Sequence, residues 1–252
     1  MSDRFYIPPA QWDASSLQLF DDEAKHCSQV MRHREGDEVI VFNGVGDMAR
    51  AHIATINKHE IMLDCIAVEH IELPAGRVTL APALIKADRW EWLLEKATEL
   101  GATEIQPLIT ERCVVKLGAD DAARKHDKWQ RIVVEACKQC RRAWVPVLHP
   151  ARRMEEVCGG SACTALTVIA AISDHSMPML QAMADARQKA GGTFCSLLAL
   201  VGPEGDFTQE EMSIAIRHGA IPVSLGPLTL RAETASMCVL SIAGAAMAFR
   251  GS

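Results

Sequence analysis

The residue types best suited to chemistry fall in two glycine- and proline-rich loops. The first is Leu200-Val-Gly-Pro-Glu-Gly-Asp-Phe-Thr208; the second is Leu225-Gly-Pro-Leu-Thr-Leu-Arg-Ala-Glu-Thr-Ala235. Each stands between an apolar strand and a helix. Two such loops at the strand ends of an open α/β sheet can form one small-molecule pocket. Gly202 and Gly205 remove side chains where a ligand could touch backbone. The N–H groups ahead of the following helix suit an anion, yet the loop has neither a P-loop lysine nor G-x-G-x-x-G spacing. In the second loop Leu225-Gly226-Pro227 is a tight turn. Leu228 and Leu230 form an apolar wall, and Arg231, Glu233 and Thr234 follow at the mouth of a helix. Apolar walls for a ring and backbone groups for its edges are what an adenosyl group needs. Glu233 also fits an ordinary helix-start acid.

The elements that must hold these loops read as two modules, 1–73 and 74–252, with Leu73-Pro-Ala-Gly76 as the boundary. The first is β-rich. Glu38–Phe42, Met48–Ile56 and Ile61–Val68 read as strands, Asn43–Asp47 as a turn, and Asp21–Arg32 as a helix carrying His26, Val30 and Met31. In the second, Val78–Ile85 is an unbroken apolar run, as in a strand covered on both faces. Asp88–Leu100 repeats apolar residues at helical spacing, with a capping box at Asp88 and Glu91 and a stop at Gly101. Ile105–Ile109 completes a β-α-β unit, which implies a parallel sheet and an α/β class. Arg124–Arg142 is an amphipathic helix with Trp129, Ile132, Val133, Ala136 and Cys140 inward. Ala165–Ile172, Cys195–Val201 and Pro222–Leu225 add strands. Thr208 and Glu211 form a second capping box, opening a helix that stops at Gly219.

The final helix, Thr234–Phe249, carries no charge. A helix apolar on every side is buried on every side. One face is therefore expected on the sheet and another on a second subunit, giving a homodimer. No run is long enough to span a bilayer, and Met-Ser-Asp-Arg-Phe-Tyr-Ile at the start lacks a secretory pattern, so a cytoplasmic protein is expected. Nine cysteines are scattered, as for reduced core thiols. Cys137-Lys-Gln-Cys140 lacks a partner pair at zinc spacing, so no metal is expected. The net charge of −6 hides an uneven distribution. Residues 1–73 hold six basic and thirteen acidic side chains; residues 112–153 hold eleven basic and four acidic. Local clustering matters more than the sum for attracting phosphates.

Taken with further segments, the loops resemble the SPOUT, or trefoil-knot, methyltransferases. The nearest likeness is to the bacterial family that methylates N3 of a uridine in small-subunit (16S) ribosomal RNA. Gly-Pro-Glu-Gly at 202–205 and Leu-Arg-x-Glu-Thr-Ala at 230–235 carry the likeness. Glu95–Gly101, Pro107–Arg112, Val114–Leu117, the helix from Trp129 to Gln139, and Val30–Arg32 with Gly36-Asp37 extend it over nearly the whole chain. Asp206 departs from it by standing where the family usually has a second glycine. Leu228, Thr229, Ala232 and Lys138 depart as well.

The resemblance implies an N-terminal PUA-like β-barrel and a C-terminal, mostly parallel sheet with helices on both faces, threaded into a knot. It implies S-adenosyl-L-methionine as cofactor, held by Leu200, Gly202, Pro203, Glu204, Gly205, Leu225, Gly226, Leu230 and Thr234. Arg231 is then the candidate for stabilising a developing uracil anion, with Glu204 or Glu233 handling the proton. Small-subunit ribosomal RNA, free or in the 30S subunit, is the implied partner. Arg124, Lys128, Arg131, Lys138 and Arg142 recur at helical spacing as a basic face, Arg112 and Lys116 add to it, and Arg4, His26 and Arg32 would seat RNA on the first module. Two other readings are a ribose 2′-O-methyltransferase of the same fold and a non-catalytic RNA-binding or ribosome-assembly factor.

Overall fold

In the computed structural model, residues 3–74, 76–115, 118–160, 166–171, 176–191 and 196–248 are described. The chain divides into two compact units, one of residues 1–73 with 134–145, the other of 74–133 with 146–252.

The first unit is built on a five-stranded sheet in the order β1-β3-β4-β5-β2. Its strands are β1 (Arg4–Tyr6), β2 (Leu17–Phe20), β3 (Glu38–Phe42), β4 (Asp47–Ile56) and β5 (Glu60–His70). The sequence pattern found β3, β4 and β5. It missed β1 and β2, which are too short for period-two alternation to stand out. Phe5, Leu17, Leu19, Val39, Val41, Ile53 and Ile61 form the core beneath the sheet. The expected helix from Asp21 is α1 (Asp21–Lys25) followed by one wide turn through Val30. Arg32, at φ +60°, ends it. Residues 134–145 join this unit through a second cluster of Phe42, Met48, Cys137 and Ala143, and the Trp144 indole donates to the Ile71 carbonyl at 2.6 Å.

The second unit begins with β6 (Arg77–Pro82), α2 (Ala87–Glu99), β7 (Glu104–Ile105), β8 (Leu108–Ile109) and α3 (Ala119–Cys140), whose last residues belong to the first unit. It continues with β9 (Val147–Leu148), β10 (Arg152–Arg153), α4 (Met154–Gly159), β11 (Leu166–Ala170), β12 (Met177–Pro178), α5 (Met179–Lys189), β13 (Ser196–Val201), α6 (Gln209–Arg217), β14 (Ile221–Ser224) and α7 (Ala232–Ala248). The expected strand ends at Ala165, Ile172 and Cys195, and the helix end at Phe249, lie outside the described residues. Among those described, seven strands form a sheet in the order β12-β14-β11-β13-β6-β7-β9, parallel at every pairing. β13 is buried from Leu197 to Val201, as an unbroken apolar strand covered on both faces must be.

Helix starts and stops decide where the loops fall. Thr208 and Glu211 form the expected capping box at the start of α6. The box expected at Asp88 and Glu91 does not form. The helix begins one residue earlier, its N-cap is Lys86, and no side chain caps it. Asp88 instead lies in the first turn, where a carboxylate favours the helix dipole. Gly101 stops α2 at φ +90°, with the Gly101 and Ala102 amides returning to Thr98 and Ala97. The expected strand Ile105–Ile109 is broken into β7 and β8 at Gln106-Pro107, since proline has no amide for the ladder.

α7 packs Ala235, Ser236, Val239, Leu240 and Ala243 inward. Thr234, Ser241, Gly244 and Ala245 lie exposed on its other side, so within one chain the helix is buried on one face. No helix among the described residues is long and apolar enough to cross a membrane.

Candidate active site

The two loops converge at the carboxyl edge of three neighbouring strands. Ala170 at the end of β11 pairs with Val201 at the end of β13 on one side and with Val223 of β14 on the other. The loops that follow β13 and β14 therefore flank the end of β11. Between them lies a cleft of about 270 Å³, lined by Gly202, Pro203, Glu204, Leu225, Gly226 and Leu230 of the expected set, with Arg231. Its lining also includes Ala170, Ala171, Val223 and Ser224, which the sequence reading passed over, and Asp206 and Thr229, which it noted only as departures from the family pattern. The missing signal was strand order. Once β11 is placed between β13 and β14, its carboxyl end falls in the same cleft.

Three expected cofactor residues, Leu200, Gly205 and Thr234, are not part of this lining. Leu200 is fully buried in the sheet core, among Ala81, Ile169 and Phe207. Its strand position points it away from the lip. Gly205 turns toward Arg112, whose Cβ lies 3.3 Å from where a Gly205 side chain would begin. Thr234 is exposed in the first turn of α7, and it is outside the lining.

The first loop is held in a specific conformation. Asp206 sits at φ +61°, in the left-handed region. Aspartate tolerates this conformation because its short carboxylate can bond the local backbone. Here Asp206 Oδ1 accepts from the Phe207 amide at 2.8 Å, and the Asp206 amide returns to the Pro203 carbonyl at 2.9 Å. A side chain at Gly202 would begin 3.2 Å from Asp206 Oδ1 and 3.3 Å from the Phe207 ring, which leaves little space for a Cβ. In the second loop Gly226 lies at φ +133°, a conformation that favours glycine. Leu228, 74% exposed, stands on the open side as an apolar wall.

Arg89, in the first turn of α2, joins the loops electrostatically. Its guanidinium lies 3.5 Å from Glu204 and 3.8 Å from Glu233. The Glu233 side chain is only 13% exposed, and its second oxygen is buried with no hydrogen-bond partner. Glu204 reaches the cleft; Glu233 stands behind it. Arg89 was not singled out from the sequence, because an arginine in a helix's first turn reads as solvated.

The basic residues do not share one face. Arg124, Lys128 and Arg131 are exposed on one stripe of α3, Arg124 pairing with Asp121 and Lys128 with Glu91. Arg112 braces the first loop, donating to the carbonyls of Gly205 at 2.8 Å and Phe207 at 3.4 Å. Lys138 leaves the stripe. Its side chain is 7% exposed and forms ion pairs with Glu23 and Glu135, so its charge is spent inside the first unit. Arg142 is half-buried, and burial pushes its pKa down. His26 is half-buried, edge-on to the Phe5 ring, whereas Arg32 is exposed. Lys116 lies outside the described residues.

An RNA methyltransferase domain family matches residues 72–244, and an RNA methyltransferase PUA domain matches residues 19–63. The chain is 35% identical over 245 residues to the ribosomal RNA small subunit methyltransferase E of Synechocystis, covering 96% of this chain and 77% of that protein. The protein of the same name in Bacillus subtilis is 30% identical over 236 residues, covering 91% and 90%. A Legionella pneumophila methyltransferase, solved with bound cofactor SAM, superposes with a TM-score of 0.86 at 30% identity over 98% of both chains. The ribosomal RNA small subunit methyltransferase E of Neisseria gonorrhoeae, bound to S-adenosyl methionine, gives 0.83 at 28% identity over 96% of both. Matched over more than half its length, the chain belongs to the RNA methyltransferase family, and it carries that family's PUA domain near its N-terminus.

Proposed function

We propose that this protein transfers a methyl group from S-adenosylmethionine to N3 of a uridine in small-subunit ribosomal RNA. The observation that carries the reading is the cleft at the carboxyl edge of β14, β11 and β13, where both glycine loops meet beside Arg231. Its residues fit the cofactor. Leu225, Leu228 and Leu230 offer walls to a purine, and Gly202 and Gly226 leave backbone uncovered. The Synechocystis and Neisseria relatives support the substrate by their names, and the Neisseria and Legionella structures support the cofactor by what they hold.

The cofactor would supply an electrophilic methyl on a sulfonium. The chain's part is to position and to balance charge. Uridine N3 is hidden in a duplex, so the base must be unpaired or turned out. Gly202, Pro203, Leu225 and Gly226 hold one reactant in line. Arg231, exposed at the cleft, stabilises the anion that forms on a uracil carbonyl oxygen as N3 loses its proton. Glu204 is the carboxylate in reach of that proton. Glu233 acts through Arg89, which it shares with Glu204. Arg112 holds the first loop from behind. Arg124, Lys128 and Arg131 meet RNA phosphates, and the module at 1–73 seats the RNA. The uncharged outer face of α7 joins two copies. We place the protein in the cytoplasm, with its substrate.

The test is mass spectrometry of ribosomal RNA, free or within 30S subunits, digested after incubation with protein and S-adenosylmethionine. N3-methyluridine is expected; a ribose-methylated product or none overturns the reading. Absence of S-adenosylmethionine binding in calorimetry would leave an RNA-binding factor instead. Arg231→Ala should bind cofactor normally and lose about a hundredfold in turnover; unchanged turnover removes Arg231 from its role.

A further inference from the structure

The outer face of the N-terminal sheet carries a second cavity, in the first unit. Arg4 on β1 stands opposite Ile40 on β3, Ile40 opposite Arg50 on β4, and Arg50 opposite Ala67 on β5. Residues paired across strands project from the same face. Arg4 and Arg50 therefore flank Ile40, two strand spacings or about 10 Å apart at the backbone. A cavity of about 280 Å³ is lined by this row together with Met48, Val68 and Glu69.

The row is unbalanced in two ways. Nη1 of Arg4 is buried and has no hydrogen-bond partner. A guanidinium keeps its proton and all five donors, so a buried donor left unpaired is costly. Two arginines also face one carboxylate, Glu69, in the cavity. Burial first, and then the Arg141 charge, push the Arg4 pKa down, while Cys140 and Glu69 oppose this. A further negative group in the cavity would offset the excess of positive charge along the row.

We infer that this cavity binds a phosphate group and that, in the working protein, the group is a phosphodiester of the RNA substrate. The guanidinium fork matches phosphate oxygens in geometry as well as charge. The apolar floor of Ile40 and Met48 lowers the local dielectric and strengthens the attraction. Such a contact fixes the register of the RNA on the sheet without reading its sequence. Arg50 has no such role in the sequence reading, which had singled out only Arg4. The RNA part of this inference rests on the proposed function; the phosphate part does not.

The tests use Arg50→Gln, because Arg50 is exposed and its loss spares the fold, with Arg50→Lys and Glu69→Gln beside it. Affinity for a small-subunit RNA fragment is measured across a salt series. Arg50→Gln should bind about fivefold more weakly for any sequence, and its log–log salt slope should fall by about one. Arg50→Lys should keep the slope, and Glu69→Gln should bind more tightly. S-adenosylmethionine binding should be unchanged in all three. Separately, inorganic phosphate is titrated while the arginine side-chain nitrogens are followed by NMR. Shifts at Arg4 and Arg50 in the wild type, lost at Arg4 in Arg50→Gln, support the site. Phosphate binding with RNA affinity and slope unchanged in Arg50→Gln overturns the RNA assignment and leaves a free-phosphate site. No response in either assay overturns the inference. If the wild type methylates ribosomal RNA while both assays stay silent, only the phosphate site falls. If phosphate binds but no RNA is methylated, the proposed function falls instead.

Discussion

The Arg89 guanidinium stands 3.5 Å from the Glu204 carboxylate, so the first turn of α2 is tied to the loop after β13. The same guanidinium reaches Glu233 at 3.8 Å, and so one side chain bridges both loops of the cleft. Each member of the Arg89–Glu204 pair is about one-third exposed, which limits its contribution to about 1 kcal/mol or less. Arg89→Ala should therefore weaken S-adenosylmethionine binding by about three- to fivefold in calorimetry, and because it leaves the 13% exposed Glu233 carboxylate without its cation it should also lower the melting temperature. Arg89→Lys should recover most of the loss. Unchanged affinity in Arg89→Ala would show that the loops keep their spacing without the bridge.

Asp206 makes a second prediction, about backbone rather than charge. Its left-handed φ is tolerated because Oδ1 accepts from the Phe207 amide. Asp206→Gly relaxes the backbone but gives up that bond and some unfolded-state restriction, so its stability should stay within about 1 kcal/mol of wild type. Asp206→Ala keeps the strained φ and loses the bond, and should cost about 1–3 kcal/mol. Urea unfolding of the two variants checks the order. If alanine is as stable as glycine, the left-handed conformation at 206 is not enforced.

These two residues mark where the sequence was legible and where it was not. Loop composition, the Thr208–Glu211 box and the stops at Gly101 and Gly219 are local signals, and they placed the elements around the cleft. Strand order is not local. Nothing between 166 and 171 announces that β11 lies between β13 and β14, so Ala170 and Ala171 went unnoticed. Leu200 was assigned by position in a motif, and the pleat turned it into the core. Lys138 was assigned by helical spacing. Spacing carries no knowledge of Glu23, which lies more than a hundred residues away in the chain. Arg89 failed for the same reason, since both its partners are distant.

Alkaline pH should unfold the first unit progressively. Burial pushes the thiols of Cys27 and Cys137 up to about 12, from an ordinary value of 9.0. The carboxylates of Asp37, Glu23 and Asp3 add to the shift at Cys27; Arg142 opposes it at Cys137. A folded-state pKa above the unfolded one contributes stability that is fully present below the unfolded value. That stability is lost as pH rises through the window from about 9 to about 12. Within it, each thiol removes up to about 1.4 kcal/mol per pH unit. Tyr6, raised mainly by burial, adds a loss of the same sign. Urea midpoints measured from pH 8 upward should fall, and the fall should be shallower in a Cys27→Ala/Cys137→Ala double variant. A parallel fall in both proteins would mean that the thiols are not responsible.

The outer face of α7 gives a prediction about assembly. Ser241, Gly244 and Ala245 are small, uncharged and exposed in the single chain, which allows another helix to approach closely. Sedimentation should show a dimer for the wild type and a monomer for Ala245→Arg, because a bulky charge at a tight helix contact carries both steric and desolvation costs. A wild type that sediments as a monomer at every concentration removes the homodimer from the reading.

Lys138 and Arg131 lie on the same helix, and the structure predicts opposite consequences for their loss. Lys138 is buried between Glu23 and Glu135. Lys138→Ala leaves those carboxylates without their cation, Glu23 being the less exposed of the two at 22%, and should destabilise the first unit by about 3 kcal/mol. Its RNA affinity, measured on the folded fraction, should keep the wild-type salt slope, because the lysine's charge is already neutralised within the protein. Arg131 is exposed on the stripe with Arg124 and Lys128. Arg131→Ala should leave stability within about 0.5 kcal/mol of wild type and lower the salt slope of RNA binding by about one. Thermal melts combined with a salt series on both variants separate the two roles. If Lys138→Ala lowers the slope while Arg131→Ala does not, the RNA path follows the far end of α3 instead of its exposed stripe.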